Sequence, residues 1–327
     1  MQMEIWVEKY RPRDLYDVVG NEPAMDRLRG LAATGNTPNL ILAGPPGCGK
    51  TTSVFCLARA LLGDSHVKQG VLEMNASDDR GIDAVREKIK NFAMQKVTLP
   101  EGRQKLIILD EADSMTEAAQ QAMRRIMEQY SSTTRFALAC NQSSKIIEPI
   151  QSRCAIVRFG KLSDAEVLAR LKYVAEAEGV ACTDTGLEAL VFTAEGDMRN
   201  ALNNLQSTFT GFGSVTRDNV MKVCDQPQPQ EIQAVIRACL NRDWAQGYDR
   251  LAGLYGKGYS CGDIVSTLLR LLKSFEMRED AKIEFIKEVS LVHMRVIDGV
   301  QTLTQLGGLV GKLCLAAETL RVSVSGA

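Results

Sequence analysis

Residues 44–52 read GPPGCGKTT, and this spacing of glycines, a lysine and a threonine suits the binding of a phosphate chain. The pattern G-x-x-x-x-G-K-[S/T] follows a short apolar run and opens a helical pattern, which is the context that a phosphate-binding loop requires. Glycines let backbone N–H groups converge on phosphate oxygens, and the helix adds the positive end of its dipole. The pattern predicts that Lys50 reaches the β- and γ-phosphates and that Thr51 holds Mg²⁺. A nucleoside triphosphate is therefore expected against Gly44, Pro45, Pro46, Gly47, Cys48, Gly49, Lys50, Thr51 and Thr52.

Two adjacent carboxylates follow the apolar run of residues 106–109. Asp110 is suited to organise the shell of a Mg²⁺ ion, and Glu111 to activate or orient the water that attacks a phosphate. A solvated acidic strand end is the alternative interpretation. The loop upstream favours the catalytic one, because the two motifs together would complete a site for nucleotide hydrolysis.

Asn141 and Arg199 are further candidates for the same site. Asn141 directly follows the apolar run 136–140, and ligands of parallel sheets gather at the carboxyl ends of strands, so its amide could contact the γ-phosphate or the water. An asparagine that caps a turn is the alternative. Arg199 falls in the first turn of a helical pattern, where a cation opposes the helix dipole and a nearby anion would offset the cost. A salt bridge to Asp197 or Glu195 is the other interpretation of Arg199.

Arg153 stands just ahead of the apolar run 155–157. A cation at the rim of a buried sheet needs an anionic partner or open water. The neighbouring sequence offers only Glu148, and the proline that follows Glu148 makes that pairing awkward. The local sequence therefore leaves open which anion Arg153 meets.

The helical pattern of residues 82–94 carries basic residues beside an apolar stripe. The stripe predicts packing against a core and consists of Ile82, Val85, Ile89 and Phe92. Arg86 and Lys90 lie four residues apart on another face, and Arg80 precedes the helix. Like charges at this spacing slightly destabilise an isolated helix, an effect that a bound polyanion would offset. A solvated surface is the alternative.

These candidate residues require a scaffold of alternating strands and helices. Five short, continuous apolar runs are typical of strands buried on both faces of a parallel sheet. Helical patterns separate them, so we predict a three-layer α/β domain that ends near residue 160. The five runs are 40–43, 71–74, 106–109, 136–140 and 155–157, and the helical patterns include 51–62, 82–94 and 117–130.

The remainder of the chain reads as helical. Ser163 and Glu166 form a capping box that predicts a helix over 164–177, and two more helical patterns follow before residue 225. The stretch QPQPQ at 226–230 is interpreted as a linker, because neither of its prolines is expected inside a helix. Beyond it we expect helices with breaks at 256–258 and near the glycine pair 307–308.

Composition limits the classes of function that this chain can have. Among 327 residues, 45% are hydrophobic and the net charge is −1, so no global basicity indicates nucleic acid, and any such contact would need basic groups gathered on one face. Nine dispersed cysteines and two histidines argue against a disulfide framework or a zinc site and favour a reducing, intracellular compartment. No signal-type segment or run of membrane-spanning length is present, so no membrane partner is expected.

Taken together, seven motifs closely resemble the small subunits of replication factor C, the eukaryotic and archaeal sliding-clamp loader of the AAA+ ATPase class. They are WVEKYRP (6–12), VVGN (18–21), GPPGCGKTT (44–52), NASDDRGID (75–83), LDEADSMT (109–116), ACNQSSKIIEPIQSRC (139–154) and DMRNALNNLQST (197–208). The likeness is to a catalytically intact eukaryotic subunit. It implies an AAA+ α/β domain at 1–160, a helical lid domain at 161–225 and an all-α collar domain for oligomerisation at 226–327.

The resemblance also implies roles for residues around ATP and Mg²⁺. Val7 and Val19 would line the adenine pocket, with Arg11 in the N-terminal segment near the base and ribose. Asn141 would be the first nucleotide sensor and Arg199 the second. One departure from the family is Cys48, where threonine is more usual; the position contributes mainly backbone to the phosphate cradle, so we expect little damage.

For contacts beyond the chain, the resemblance implies that Arg153 is an arginine finger that reaches the ATP of a neighbouring subunit. Asn75 would couple DNA contact to Glu111. Arg80, Arg86 and Lys90 would track the phosphates of primer–template DNA without reading sequence, which makes binding salt-dependent.

The implied activity is ATP-driven loading of a ring-shaped sliding clamp onto primed DNA, by a heteropentamer of replication factor C subunits in the nucleus. ATP binding would open the clamp, and DNA would trigger hydrolysis and release. Two alternatives remain open from the sequence. One is a homo-oligomeric AAA+ motor, and the other is a non-catalytic structural subunit of the same assembly.

Overall fold

A computed structural model of the chain describes residues 4–76, 82–100 and 102–325, with the side chains of 82–86 and 320–325 outside that description. By internal contacts the chain divides into two compact units, Met1–Val220 and Met221–Ala327. The finer division into three domains at 160 and 225 stays a prediction. Within the described residues, no helix is long and apolar enough to cross a membrane.

The first unit is built on a five-stranded parallel sheet. The strands run β1 Asn39–Ala43, β2 Val71–Asn75, β3 Lys105–Asp110, β4 Thr134–Cys140 and β5 Cys154–Arg158. Their spatial order is β2-β3-β4-β1-β5, and every pairing is parallel. The predicted α/β fold with a parallel sheet of five strands is thus confirmed.

Helices cover both faces of this sheet. The helices that precede β5 are α1 Trp6–Lys9, α2 Glu22–Thr34, α3 Lys50–Leu62, α4 Asp64–Gly70, α5 Ile82–Met94, α6 Glu117–Gln129 and α7 Glu148–Gln151. Of these, α2 and α3 pack on one face of the sheet and α5 and α6 on the other. Alternate residues of β1 enter different cores: Leu40 packs in the cluster of α2 and α3, while Ile41 packs in the cluster of α5 and α6. Successive side chains of a strand point to opposite faces of the sheet, so β1 packs against helices on both sides. The result is a sheet between two helical layers.

The prediction that all five strands are buried on both faces is wrong for the two edge strands. β1, β3 and β4 are almost fully buried, whereas β2 and β5 contain several exposed or half-buried positions. Short apolar runs do not reveal which strands lie at the edge, because edge position depends on the order of strands and not on local sequence.

The first unit continues into helices after β5. They are α8 Asp164–Glu178, α9 Asp184–Ala194, α10 Met198–Phe212 and α11 Arg217–Cys224, the last of which contains the division between the two units. The predicted capping box is present, since the Ser163 hydroxyl accepts from the Glu166 N–H and the Glu166 carboxylate accepts from the Ser163 N–H.

The second unit is helical, and two sequence expectations fail there. Its helices are α12 Pro229–Leu240, α13 Trp244–Gly256, α14 Cys261–Ser274, α15 Glu279–Ile297 and α16 Leu303–Ser325. Pro229 lies inside the interpreted linker yet begins α12, because the first helical position needs no N–H donor.

The glycine pair near residue 307 does not break a helix either; α16 runs through it. A Cβ on Gly307 would lie 3.0 Å from the Tyr248 ring, and a Cβ on Gly247 would lie 2.9 Å from Val310. The glycines therefore allow α13 and α16 to approach closely, which is a packing role that periodicity cannot distinguish from a break.

Candidate nucleotide-binding site

The loop that follows β1 has the backbone shape of a phosphate cradle. Gly47 and Gly49 both have positive φ angles, +65° and +94°, which side-chain-bearing residues rarely adopt. Gly49 is the residue before α3, so the N–H groups of the loop lie next to those at the N-terminus of that helix. Cys48 is buried between the two glycines, and its thiol donates to the Pro45 carbonyl at 2.9 Å.

Lys50 connects the loop to the end of β4. Its ammonium is buried, with the residue 8% exposed, and donates to the carbonyls of Gly44 at 2.8 Å and Pro45 at 2.7 Å. Its third acceptor is the Asn141 side-chain oxygen at 3.2 Å. The cation and the amide that were predicted to meet the γ-phosphate are thus brought together, although 91 residues separate them.

The carboxylates at the end of β3 meet the first turn of α3. The Thr51 hydroxyl donates to Asp110 Oδ2 at 2.8 Å, and the Glu111 N–H donates to Asp110 Oδ1 at 2.9 Å. A hydroxyl and a carboxylate at this separation form an oxygen donor set that suits a hard cation such as Mg²⁺. Glu111 is exposed and has a left-handed backbone, with φ +52°, a conformation that concentrates at functional sites.

Asp113 supports the turn that carries Asn141, and the sequence analysis did not identify it. Its carboxylate accepts from the backbone N–H groups of Asn141 at 3.2 Å and Gln142 at 3.3 Å. The Asn141 side chain is thereby left to face Lys50. The only signal for Asp113 was its place three residues after Asp110, which does not indicate a contact with β4.

The start of α10 lies against the phosphate loop. The Met198 N–H donates to the Gly47 carbonyl at 3.2 Å, and the Asp197 carboxylate caps α10 by accepting from the Asn200 N–H at 3.0 Å. A Cβ on Gly47 would overlap that carboxylate. Arg199 is exposed beside the loop, and Glu195, one of its two candidate partners, lies 3.8 Å from the ammonium of Lys161.

The N-terminal segment closes the other side of the site. Arg11 Nε donates to the Thr52 hydroxyl at 3.3 Å, and its guanidinium lies 5.1 Å from the centre of the Phe55 ring. Arg170 of α8 donates to the Tyr10 carbonyl, while the Tyr10 hydroxyl donates to Glu178 at 2.7 Å. The segment is therefore held by both α3 and α8. Arg170 was missed because its partner lies 160 residues away.

These elements enclose a cavity of about 220 Å³. From the predicted set it is lined by Val7, Arg11, Val19, Pro46, Gly47, Cys48, Gly49, Lys50, Thr51, Thr52, Asp110, Glu111, Asn141 and Arg199. Lining residues that were not predicted include Tyr10, Val18, Cys140, Leu162, Arg170, Met198 and Leu202. Gly44 and Pro45 are not in the lining and contribute the carbonyls that hold Lys50. The cavity thus combines apolar walls for a base with cationic and carboxylate groups for phosphates and a metal ion.

Arg153 does not line this cavity. Its guanidinium is about two-fifths exposed and pairs with Glu128 of α6 at 2.7 Å, not with Glu148. It also donates to the Pro149 carbonyl at 2.6 Å. Hydrogen bonding from Arg124, with added contributions from Arg153, lowers the pKa of the Glu128 carboxyl. Arg153, the candidate arginine finger, is therefore held at the surface of its own chain by Glu128, which also pairs with Arg124.

Of the basic residues in the predicted DNA contact, Lys90 has a described side chain, and it does not line the cavity. Lys90 is exposed on α5, and Ile89 beside it is buried, as the apolar stripe predicted. Arg80 lies outside the described residues, and so does the side chain of Arg86. Their predicted contact with DNA stays a prediction.

Comparison with known proteins gives two family matches. Residues 40–162 match the ATPase family associated with various cellular activities (AAA), and residues 227–312 match the replication factor C C-terminal domain. The chain is 58% identical to replication factor C subunit 2 of Arabidopsis thaliana over 318 residues, which cover 97% of this chain and 95% of that protein. It is 55% identical to replication factor C subunit 4 of Saccharomyces cerevisiae, over 94% of this chain and 95% of that protein.

Among solved structures, the chain resembles the Thermotoga maritima RuvB Holliday junction branch migration motor. The TM-score is 0.54, the identity is 18%, and the match covers 70% of this chain and 78% of RuvB. At that identity the likeness concerns the fold alone, and it agrees with the AAA match of residues 40–162.

Proposed function

The chain belongs to the replication factor C subunits of eukaryotic type and is an AAA ATPase, and on that premise we propose that it works as one catalytic subunit of a heteropentameric clamp loader. In this assembly it binds ATP with Mg²⁺ and other replication factor C subunits. The assembly opens a ring-shaped sliding clamp and leaves it on primer–template DNA in the nucleus, during replication and repair.

The observation that carries the proposal is the hydrogen-bonded network at the carboxyl ends of the strands. Lys50 donates to Asn141, and Thr51 donates to Asp110, so groups from three separate segments converge on one cavity. A structural subunit has no need of such a network. This argues against the non-catalytic alternative.

Within the site, each residue has a distinct task. Lys50 neutralises charge on the β- and γ-phosphates, while Asn141 orients the γ-phosphate or the attacking water. The oxygen of that water bonds to the γ-phosphorus while Glu111 accepts the proton that the water loses. The bond between the γ-phosphorus and the β-phosphate oxygen breaks in the same step. Thr51 and Asp110 would hold Mg²⁺, which supplies charge neutralisation between the β- and γ-phosphates when bound.

On the proposed mechanism, the outward-facing Arg153 completes a different site. It lies at the surface and outside the cavity of its own chain, which is what an arginine that serves a neighbouring subunit requires. There it would stabilise charge that develops on the transferred phosphoryl group. Hydrolysis then depends on assembly, and Arg199 contributes from the lid of the chain that holds the ATP.

A homo-oligomeric motor is the alternative that shares the fold. The match of residues 227–312 to the replication factor C C-terminal domain favours the clamp loader, because a RuvB-like fold alone does not require that domain.

Native mass spectrometry of the chain isolated from its own cells with an ATP analogue tests the proposal. We expect a complex of five different subunits, which puts Arg153 against another protein's ATP. A ring of identical chains would instead support the motor. A chain that is only ever monomeric would leave Arg153 with no ATP to serve and would contradict the proposed mechanism.

A further inference from the structure

Lys105, the first residue of β3, carries a buried ammonium with an unusual set of partners. The residue is 4% exposed, and its Nζ donates to the carbonyls of Phe92 at 2.8 Å, Ala93 at 2.6 Å and Gln95 at 2.8 Å. No ion pair to a carboxylate is found for it among the described residues. Burial lowers the pKa of the Lys105 ammonium, because a buried charge is energetically unfavourable. Its three hydrogen-bond acceptors are all backbone oxygens.

The carbonyls of Phe92 and Ala93 lie in the last turn of α5, and the carbonyl of Gln95 follows the final helical residue, Met94. The last carbonyls of a helix have no partner within the helix, and together they carry the negative end of its dipole. A cation that donates to them both satisfies the carbonyls and stabilises the dipole. Lys105 is therefore a C-terminal cap for α5 that is supplied by the start of a different element, β3.

The opposite end of β3 is bonded to Ala76, the residue that follows β2. Asn75, the last residue of β2, lies opposite Asp110 in the sheet, and the Ala76 N–H donates to the Asp110 carbonyl at 2.8 Å. Thirteen helical residues extend about 20 Å at 1.5 Å per residue, and six strand residues extend about 20 Å at 3.3 Å per residue. The helix thus matches the strand in length, and its C-terminal end is bonded to the first residue of β3.

The core between them is also shared. Ile89 of α5 is 1% exposed and packs in the same cluster as Ile107 and Leu109 of β3. On the side of α5 away from this core, Lys88 and Lys90 are exposed. A force applied to those lysines would act on a helix whose core face shares a hydrophobic cluster with β3 and whose C-terminal end is bonded to Lys105.

We propose that Lys105 is a positioning residue that couples DNA on α5 to the carboxylates at the end of β3. The inference rests on the proposed function, in which the exposed face of α5 contacts DNA phosphates. With Lys105 in place, a shift of α5 caused by a bound polyanion is transmitted to β3 and so to Asp110 and Glu111. Without its ammonium, the C-terminus of α5 can move while β3 stays in place.

The test uses the assembled complex with Lys105→Met in this chain. ATP hydrolysis is measured at saturating ATP, with and without primer–template DNA. We expect the rate without DNA to stay near that of wild type, while stimulation by DNA falls by about fivefold or more, the lower end of typical couplings between sites. Lys68→Met, at an exposed lysine of α4, is the matched control and should leave both rates unchanged.

Two further variants separate coupling from folding. Lys105→Arg keeps the cation and should recover most of the stimulation; Lys105→Gln keeps N–H donors without the charge and should recover less. If Lys105→Met does not assemble, the comparison of these two variants decides the question in the same assay, and equal stimulation in both would contradict the inference.

Three results would overturn the proposal. Equal losses with and without DNA would make Lys105 a purely structural cap. Unchanged stimulation in Lys105→Met would show that its bonds to α5 carry no signal. A wild-type complex whose hydrolysis ignores DNA would overturn the proposed function itself, and that outcome is distinguishable because it appears before any substitution is made.

Discussion

Gly47 is the point where the phosphate loop meets helix α10, and Gly47→Ala should disturb both. The φ angle of +65° disfavours any residue with a Cβ, and an added Cβ would overlap the Asp197 carboxylate. That carboxylate caps α10 through the Asn200 N–H at 3.0 Å. The methyl group can be accommodated only if the cap is displaced from its helix.

The magnitude follows from these two effects. A left-handed conformation costs an L-residue roughly 1–2 kcal/mol relative to glycine. Loss of an N-terminal aspartate cap costs a further ~0.5–2 kcal/mol. In an Asp197→Ala background the cap is already absent and the overlap is relieved. Gly47→Ala should then lower the free energy of unfolding only by the cost of the left-handed backbone. The two substitutions together should therefore be less destabilising than the sum of each alone.

The assay is equilibrium urea unfolding of the single and double variants. Trp6 lies in the first unit and stacks on Phe209 of α10, with ring centres 5.9 Å apart, so its fluorescence reports on this region. Trp244→Phe would remove the signal of the second unit. Gly49→Ala is the matched control: its φ is also positive, at +94°, but its added Cβ would meet nothing closer than 3.8 Å. The loss of unfolding free energy in Gly49→Ala should therefore add to the loss in Asp197→Ala.

Additivity decides the outcome. Distant, independent substitutions add to within ~0.3–0.5 kcal/mol. If Gly47→Ala and Asp197→Ala were additive to that degree, the carboxylate would not lie on Gly47, and the contact between the loop and α10 would be refuted.

The other predictions concern Arg153 and the buried cysteines. In the complex, Arg153→Ala should lower hydrolysis at the neighbouring ATP by ~10³–10⁵ and leave ATP-analogue binding by this chain intact; Arg124→Ala, which removes the other partner of Glu128, is the control. Loss of the chain's own ATP binding in Arg153→Ala would count against action in trans. Burial raises the pKa of the Cys56 and Cys140 thiols from the ordinary 9.0 to about 11, so the unfolded chain ionises first and stability should fall as pH rises from 9 to 11. Urea unfolding between pH 9 and 11 should show a falling free energy of unfolding, and the fall should be smaller in Cys56→Ala. A free energy of unfolding that does not change over this range would contradict the prediction.

Much of the fold was predictable because its signals are local. The loop at 44–52 and the apolar runs that became β1, β3 and β4 depend on residues close in sequence, and the structure gives them strand–loop–helix geometry. The position of Asn141 beside Lys50 was also predictable, since the carboxyl ends of parallel strands share one edge of the sheet.

What the sequence analysis missed depends on contacts between distant segments. The pairing of Arg153 with Glu128 joins the residue before β5 to the end of α6, and the bond from Arg170 to Tyr10 joins α8 to the N-terminal segment. Neither follows from periodicity or spacing. The helix through Gly307 was misjudged for a similar reason, because the ring of Tyr248 that makes a glycine necessary comes from another helix.

The central claim is that ATP bound at Lys50 drives the loading of a sliding clamp. The most direct measurement compares two reconstituted complexes, with wild-type chain or with Lys50→Ala, in ATP-dependent loading of the clamp onto primed DNA. We expect that both complexes assemble, that the wild-type complex loads the clamp, and that the variant complex loses most of this activity. Equal loading by the two complexes would show that ATP at Lys50 does not drive loading.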